Sequence, residues 1–258
     1  MNRDSGAKFG LTKFSDTASE ELMPSNYNRS LGICFPGIPE HEACGDGPFD
    51  STINYHRDRP IPDKFDWRDK GYVGPVLDQK KCNGCWAFGT VGVMETQAAI
   101  INGEYGPMLS IQELIDCSKF TNGCNNGSVV LALRWFCNNQ WGVVTEQEYP
   151  LKLITQQCRG DYHQRGLQIR QFWKLCEMNE MDIPRLLYFH GPLIVVVNAG
   201  PWLGYIEGVI QESCIRRKYG PGKTFDHVVQ IVGYDNSSDT DVPHYIVRNS
   251  WGEDFGVG

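Results

Sequence analysis

Cys85 is the residue around which chemistry can be assembled in this sequence. It sits in the stretch Gln79-Lys-Lys-Cys82-Asn-Gly-Cys85-Trp86-Ala-Phe88. Trp86, Ala87, Phe88, Val91, Val93, Met94, Ala98, Ala99 and Ile100 then give the broad apolar pattern of a buried helix, and Asn102-Gly103 supplies its stop. Cys85 is thus predicted at a helix N-terminus. Backbone N–H groups of a first turn lack intrahelical partners, and the helix dipole is positive there, so a thiolate is favoured over a thiol. The plain alternative is a structural cysteine at a buried helix end. A working thiolate needs a neighbour that can carry positive charge and later hand a proton to a leaving amine, and histidine suits both tasks. Asp226-His227 stands directly before one short apolar run, and Asn249-Ser-Trp251-Gly252 directly after another. An amide from Asn249 could fix the tautomer of His227. Cys82 and Cys85 also have the spacing of a thioredoxin-like redox pair, which would leave Gln79, His227 and Asn249 unused. Zinc binding through Cys82, Cys85, Cys117 and Cys124 lacks the second close pair of a zinc ribbon.

The elements that must position these residues fall into two groups. Ser110 with Glu113 three residues on is a capping-box start for a second helix. Residues 128–136 form a third helix ending before Asn138-Asn139, and 182–189 a fourth, with Pro184 in its first turn and Gly191-Pro192 closing it. The runs 193–197, 228–232 and 245–248 are short, rich in β-branched residues and separated by turn residues, so they read as an antiparallel sheet or small barrel. A mainly helical first half and a β-rich second half make an α+β protein with a cleft between its lobes, where ligand sites tend to lie. Glycines and prolines break every candidate element between Pro24 and Pro62, and a packed domain is expected to begin near Ile61. There is no internal repeat.

Composition excludes several classes. The chain has 258 residues, 41% hydrophobic and 21% charged, with net charge -7, so it offers no basic patch for nucleic acid. No apolar run approaches the roughly 18 residues of a membrane span. Ten cysteines, and glycosylation sequons at Asn28, Asn126 and Asn236, point to an oxidising secretory route. Met1 is not followed by a signal peptide, so the true amino terminus is expected to be missing. Cys34 and Cys44 could pair locally or remain apart.

Gln79 ahead of Cys85-Trp86-Ala-Phe88, Gly123-Cys-Asn-Asn126-Gly127, Asp226-His227 and Asn249-Ser-Trp251-Gly252 together resemble the papain-like cysteine peptidases, among them the lysosomal cathepsins. In that family histidine and asparagine follow the cysteine by about 130–150 residues; Asn249 lies further on, which extra loop residues at 236–243 would explain. The resemblance covers 61–258. It implies a two-lobe fold, helical over about 61–170 and an antiparallel β-barrel over about 171–258, incomplete at its C-terminus. It further implies Cys85 as nucleophile, His227 as general base and acid, Asn249 as the residue orienting His227, and Gln79 in an oxyanion hole. Trp251 would shield the His227–Asn249 pair, Gly127 would offer its backbone to substrate, and Ser128, Val129, Val196 and Phe225 would shape a side-chain pocket. Thiolate and imidazolium would persist together from mildly acidic to neutral pH through a depressed cysteine pKa and a raised histidine pKa.

The same resemblance makes residues 1–60 a partial inhibitory propeptide and linker, with Gly10-Leu-Thr12-Lys-Phe14-Ser-Asp16 as its motif. It pairs Cys82 with Cys124 and Cys117 with Cys158, leaves Cys214 an orphan because its partner would lie past Gly258, and assigns no partner to Cys137 or Cys176, which are expected as buried thiols. No cofactor and no metal are implied. Expected partners are peptide and protein substrates, the propeptide and cystatin-like inhibitors, acting on a monomer in the lysosome or outside the cell. Asn83 and Asn126 stand where the family usually has glycine, so the alternative is a silent homologue that binds peptides or inhibitors without cutting them.

Overall fold

The computed structural model describes residues 7–9, 58–139, 142–160, 166–169, 172, 180–211 and 226–257. Its central element is helix α1, Cys85–Asn102. Trp86, Ala87 and Val91 are fully buried and Phe88 and Met94 nearly so, as a helix apolar on most sides requires. Gly103 ends it in the left-handed conformation, its N–H donating to the Ala99 carbonyl. Helices α2, Ile111–Cys117, and α3, Val129–Asn138, pack against α1. Leu114, Ile115, Val129, Ala132 and Phe136 join Trp86, Phe88 and Val91 in one apolar cluster.

Strand β1, Lys8–Phe9, pairs antiparallel with β4, Tyr205–Glu207, and Lys8 forms an ion pair with Glu207. The main sheet is built on β5, His227–Asp235, buried along its whole length. β3, Leu193–Val197, pairs with residues 227–231 of β5, and β2, Lys64–Asp66, with residues 233–235. β6, His244–Arg248, runs along β5 on residues 230–235, with a bulge between Ile231 and Gly233. Each of these three strands pairs antiparallel with β5. Helix α4, Ile183–His190, leads into β3 and takes Pro184 in its first turn.

Three expectations change. Residues 64–66 join the sheet of the second half, tied down by Trp67 Nε1 donating to the Leu187 carbonyl at 2.9 Å and the Tyr234 hydroxyl to the Pro62 carbonyl at 2.8 Å. The capping box of α2 is half made: Ser110 Oγ accepts from Glu113 N at 2.9 Å, while the Glu113 carboxylate accepts from Val144 N at 2.9 Å instead of reaching back. Cys137 is disulfide-bonded and not a thiol; sequence pattern carries no signal for a covalent partner. The motif from Gly10 to Asp16, Asn28, Cys34, Cys44, Cys176, Cys214 and Phe225 lie outside the described residues.

Candidate active site

Two glycines let α1 and β5 approach closely enough to define the site. A Cβ at Gly89 would lie 2.7 Å from Val228 Cγ1, and one at Gly92 would lie 2.1 Å from Gln230 Nε2. Gln230 Nε2 donates to the Gly89 carbonyl at 3.1 Å. Residues 89 and 92 of the helix thus lie against residues 228 and 230 of the strand; Cys85 is the first residue of that helix and His227 the first residue of that strand. Cys85, 3% exposed, opens α1 behind Gly84, whose carbonyl accepts from Ala87 N at 2.7 Å. Among the described residues, Cys85 alone among the cysteines is outside a disulfide.

His227 is held on two sides. Its Nε2 lies 2.7 Å from Asn249 Oδ1. That oxygen also accepts from Ser250 N at 2.7 Å, and as an acceptor it requires a proton on Nε2, which makes Nδ1 the acceptor of the neutral ring. The Trp251 indole stacks on the imidazole with centroids 4.8 Å apart and planes 29° apart, and is itself braced edge-on by Phe255. Asp226 fixes the approach: its N–H donates to the Val197 carbonyl and its Oδ1 accepts from Ala199 N at 2.8 Å. His227 is 1% exposed. Burial pushes its imidazole down to about 4, against a smaller upward pull from Asn249. That corrects the expected raised value, because desolvation of the cation outweighs one hydrogen bond to a neutral amide.

Gln79 reaches the same corner because residues 77–79 pair with 250–252. Gln79 N donates to the Ser250 carbonyl at 2.8 Å, Gly252 N to the Leu77 carbonyl at 3.0 Å, and Asp78 bridges Trp251. Gln79 Nε2 donates to the Cys82 carbonyl at 2.9 Å and Ser250 Oγ donates to Gln79 Oε1 at 2.6 Å. Ser250 lies inside a stretch singled out in the sequence, but its contact with Gln79 has no local signature. Gly127 lies against Trp86. Ser128 caps α3 by accepting from Leu131 N, Val129 is buried in the helical cluster, and Val196 packs against that cluster while paired with Val228. The disulfides Cys82–Cys124 and Cys117–Cys158 are both present. With Cys82 bonded to Cys124 there is no Cys82–Cys85 redox pair, and the four cysteines of the zinc alternative cannot act together as thiolates.

A profile described as "Papain family cysteine protease" matches residues 61–258. The chain belongs to the papain family of cysteine proteases. Within this family it is 36% identical to cathepsin O of Mus musculus, over 99% of this chain and 76% of that protein, and 35% identical to cathepsin O of Homo sapiens, over 99% and 74%. Among solved structures, the digestive procathepsin L2 proteinase from Tenebrio molitor larval midgut superposes with a TM-score of 0.81 at 28% identity, over 98% of this chain and 76% of that one. The fold is papain-like, α+β, and the protein is a cysteine-type peptidase that resembles cathepsin O.

Proposed function

We propose that the chain is an endopeptidase that cuts peptide bonds through Cys85, His227 and Asn249. The observation that carries this reading is the position of His227: locked between Asn249 and Trp251, with Nε2 committed, as the first residue of the strand that packs on the helix opened by Cys85. His227 Nδ1 takes the proton from Cys85 Sγ, and the thiolate attacks the peptide carbonyl carbon. The oxyanion that forms meets Gln79 Nε2 and the Cys85 N–H. As the C–N bond breaks, the imidazolium returns its proton to the leaving amine, leaving a thioester on Sγ. Water, deprotonated by His227, then attacks the thioester through a second oxyanion, and Sγ leaves as the acid product departs. Burial makes a lone imidazolium costly, so proton transfer and thiolate formation are tied together.

Residues 1–60 are read as propeptide and linker, and 61–258 as the peptidase domain. Substrates are peptides and proteins; the propeptide and cystatin-like inhibitors are the other expected partners. The cysteines and sequons support a secretory route to the lysosome or cell exterior. No helix among the described residues is long and apolar enough to cross a membrane.

The test is a peptidyl epoxide, which alkylates activated thiols, followed by intact mass and peptide mapping. The expected result is one adduct on Cys85, lost in His227→Ala. An adduct spread over other residues, or one that forms equally in His227→Ala, would overturn the assignment.

A further inference from the structure

On the reading that Cys85 attacks a peptide carbonyl, an extended peptide must be held by backbone groups on the cleft wall beside the start of α1. Gly127 is placed for this. A Cβ there would lie 2.2 Å from Trp86 Cε2, so its backbone is pressed against the residue that follows Cys85. It is nevertheless partly exposed. The loop that carries it is fastened at several points. Cys124 is bonded to Cys82, its carbonyl accepts from Asn83 N at 2.9 Å, the Asn126 carbonyl accepts from Asn122 N at 2.8 Å, and Trp86 Nε1 donates to the Gly123 carbonyl at 3.2 Å.

In that wall the Gly127 N–H donates to Oδ1 of Asn126 at 2.7 Å. The Asn126 backbone is extended, with φ 172° and ψ 162°, a conformation that any residue adopts, so the turn itself does not call for an asparagine. We propose that Asn126 is an affinity-limiting residue of the substrate site, whose side chain occupies the backbone donor that a substrate strand uses, so that a peptide binds only by displacing Oδ1 from the Gly127 N–H. The peptide then exchanges one hydrogen bond for another where it would otherwise gain one. A net hydrogen bond corresponds to about two- to tenfold in affinity, and the penalty falls on every ligand that docks its backbone here. Turnover of a bound substrate is untouched, because Asn126 contacts no reacting atom in this scheme. Asn126 is also the acceptor of the sequon Asn126-Gly127-Ser128; a glycan on Nδ2 would leave Oδ1 in place, so the test uses unglycosylated protein.

The experiment measures binding without turnover. In a Cys85→Ser background, fluorescein-labelled denatured casein is titrated and its anisotropy followed, with Asn126→Gly and Asn126→Ala added in turn. Both are expected to bind about two- to tenfold tighter, while Asn126→Asp, which keeps the acceptor oxygen, shows no gain. In the chain that keeps Cys85, the same gain appears as a lower KM for casein cleavage at similar kcat. Variants that fold by circular dichroism but bind no tighter, or an Asn126→Asp that gains as much as Asn126→Ala, would overturn the proposal. The peptidase reading fails by a separate sign, the absence of His227-dependent alkylation at Cys85.

Discussion

The Gln79 amide owes its orientation to two neighbours of opposite kind. The Cys82 carbonyl can only accept, which sets Nε2 towards it, and the Ser250 hydroxyl donates to Oε1. One N–H of Nε2 is used on Cys82 and the amide still has a second to give. A donor held this way before substrate arrives is what oxyanion stabilisation requires. On the proposed mechanism, Gln79→Ala lowers kcat about 10²–10³-fold with KM changed less than about twofold. Ser250→Ala only loosens the amide and costs about two- to tenfold, the worth of one net hydrogen bond. Steady-state kinetics on a fluorogenic peptide separates these outcomes; a Gln79→Ala whose loss sits in KM alone would remove Gln79 from the chemistry. Cys85, His227 and Asn249 stand out in the sequence as candidates because each sits in a stretch of characteristic types at an element end. The role of Ser250 does not, since its partner lies 171 residues away and a lone hydroxyl leaves no pattern.

At the scale of elements, what could be read followed from local periodicity. Helix α1 with its Gly103 stop, α4 with Pro184 in its first turn, and strands β3, β5 and β6 were visible as apolar runs with punctuation. β2 was not: three residues, Lys64–Asp66, acquire their identity only by pairing with residues 233–235. The cap of α2 shows local and distant structure competing. Ser110 Oγ accepts from Glu113 N and donates to the Tyr149 carbonyl at 2.7 Å, while Ser110 N donates to the Val144 carbonyl at 2.8 Å. The returning segment at Val144 takes both groups that a full capping box would have joined. Ser110 is fully buried, so Ser110→Ala removes a cap and strips the Tyr149 carbonyl of a donor. The expected loss is about 1–2 kcal/mol, read as a lower urea midpoint at unchanged slope. A change below about 0.3 kcal/mol would mean that water replaces the hydroxyl.

Across the whole molecule, burial sets two opposed responses to acid. Glu113, 1% exposed, has its carboxyl pushed up to about 7 mainly by desolvation, and burial raises Glu95, Glu146 and Asp226 as well. A carboxyl raised on folding is stabilising below its unfolded pKa, and that stability is lost as pH rises through the folded value. Between about pH 7 and 4.5 acidification therefore restores about 3 kcal/mol through Glu113. His227 acts in the other direction. Its folded value of about 4 lies below the unfolded 6.5, so over that window the unfolded chain binds the extra proton and acidification costs about 2 kcal/mol. The two oppose one another; the raised carboxyls of Glu95, Glu146 and Asp226 add to the Glu113 side, while Glu148 and Asp235, held low by hydrogen bonds to Thr145 and Ser237, act against it. The full chain should be at least as stable at pH 5 as at pH 7 by urea unfolding. His227→Gln should become clearly more stable at pH 5 than at pH 7, and Glu113→Gln should invert the trend and lose stability on acidification. Parallel pH profiles for all three proteins would show that neither buried group governs the acid response.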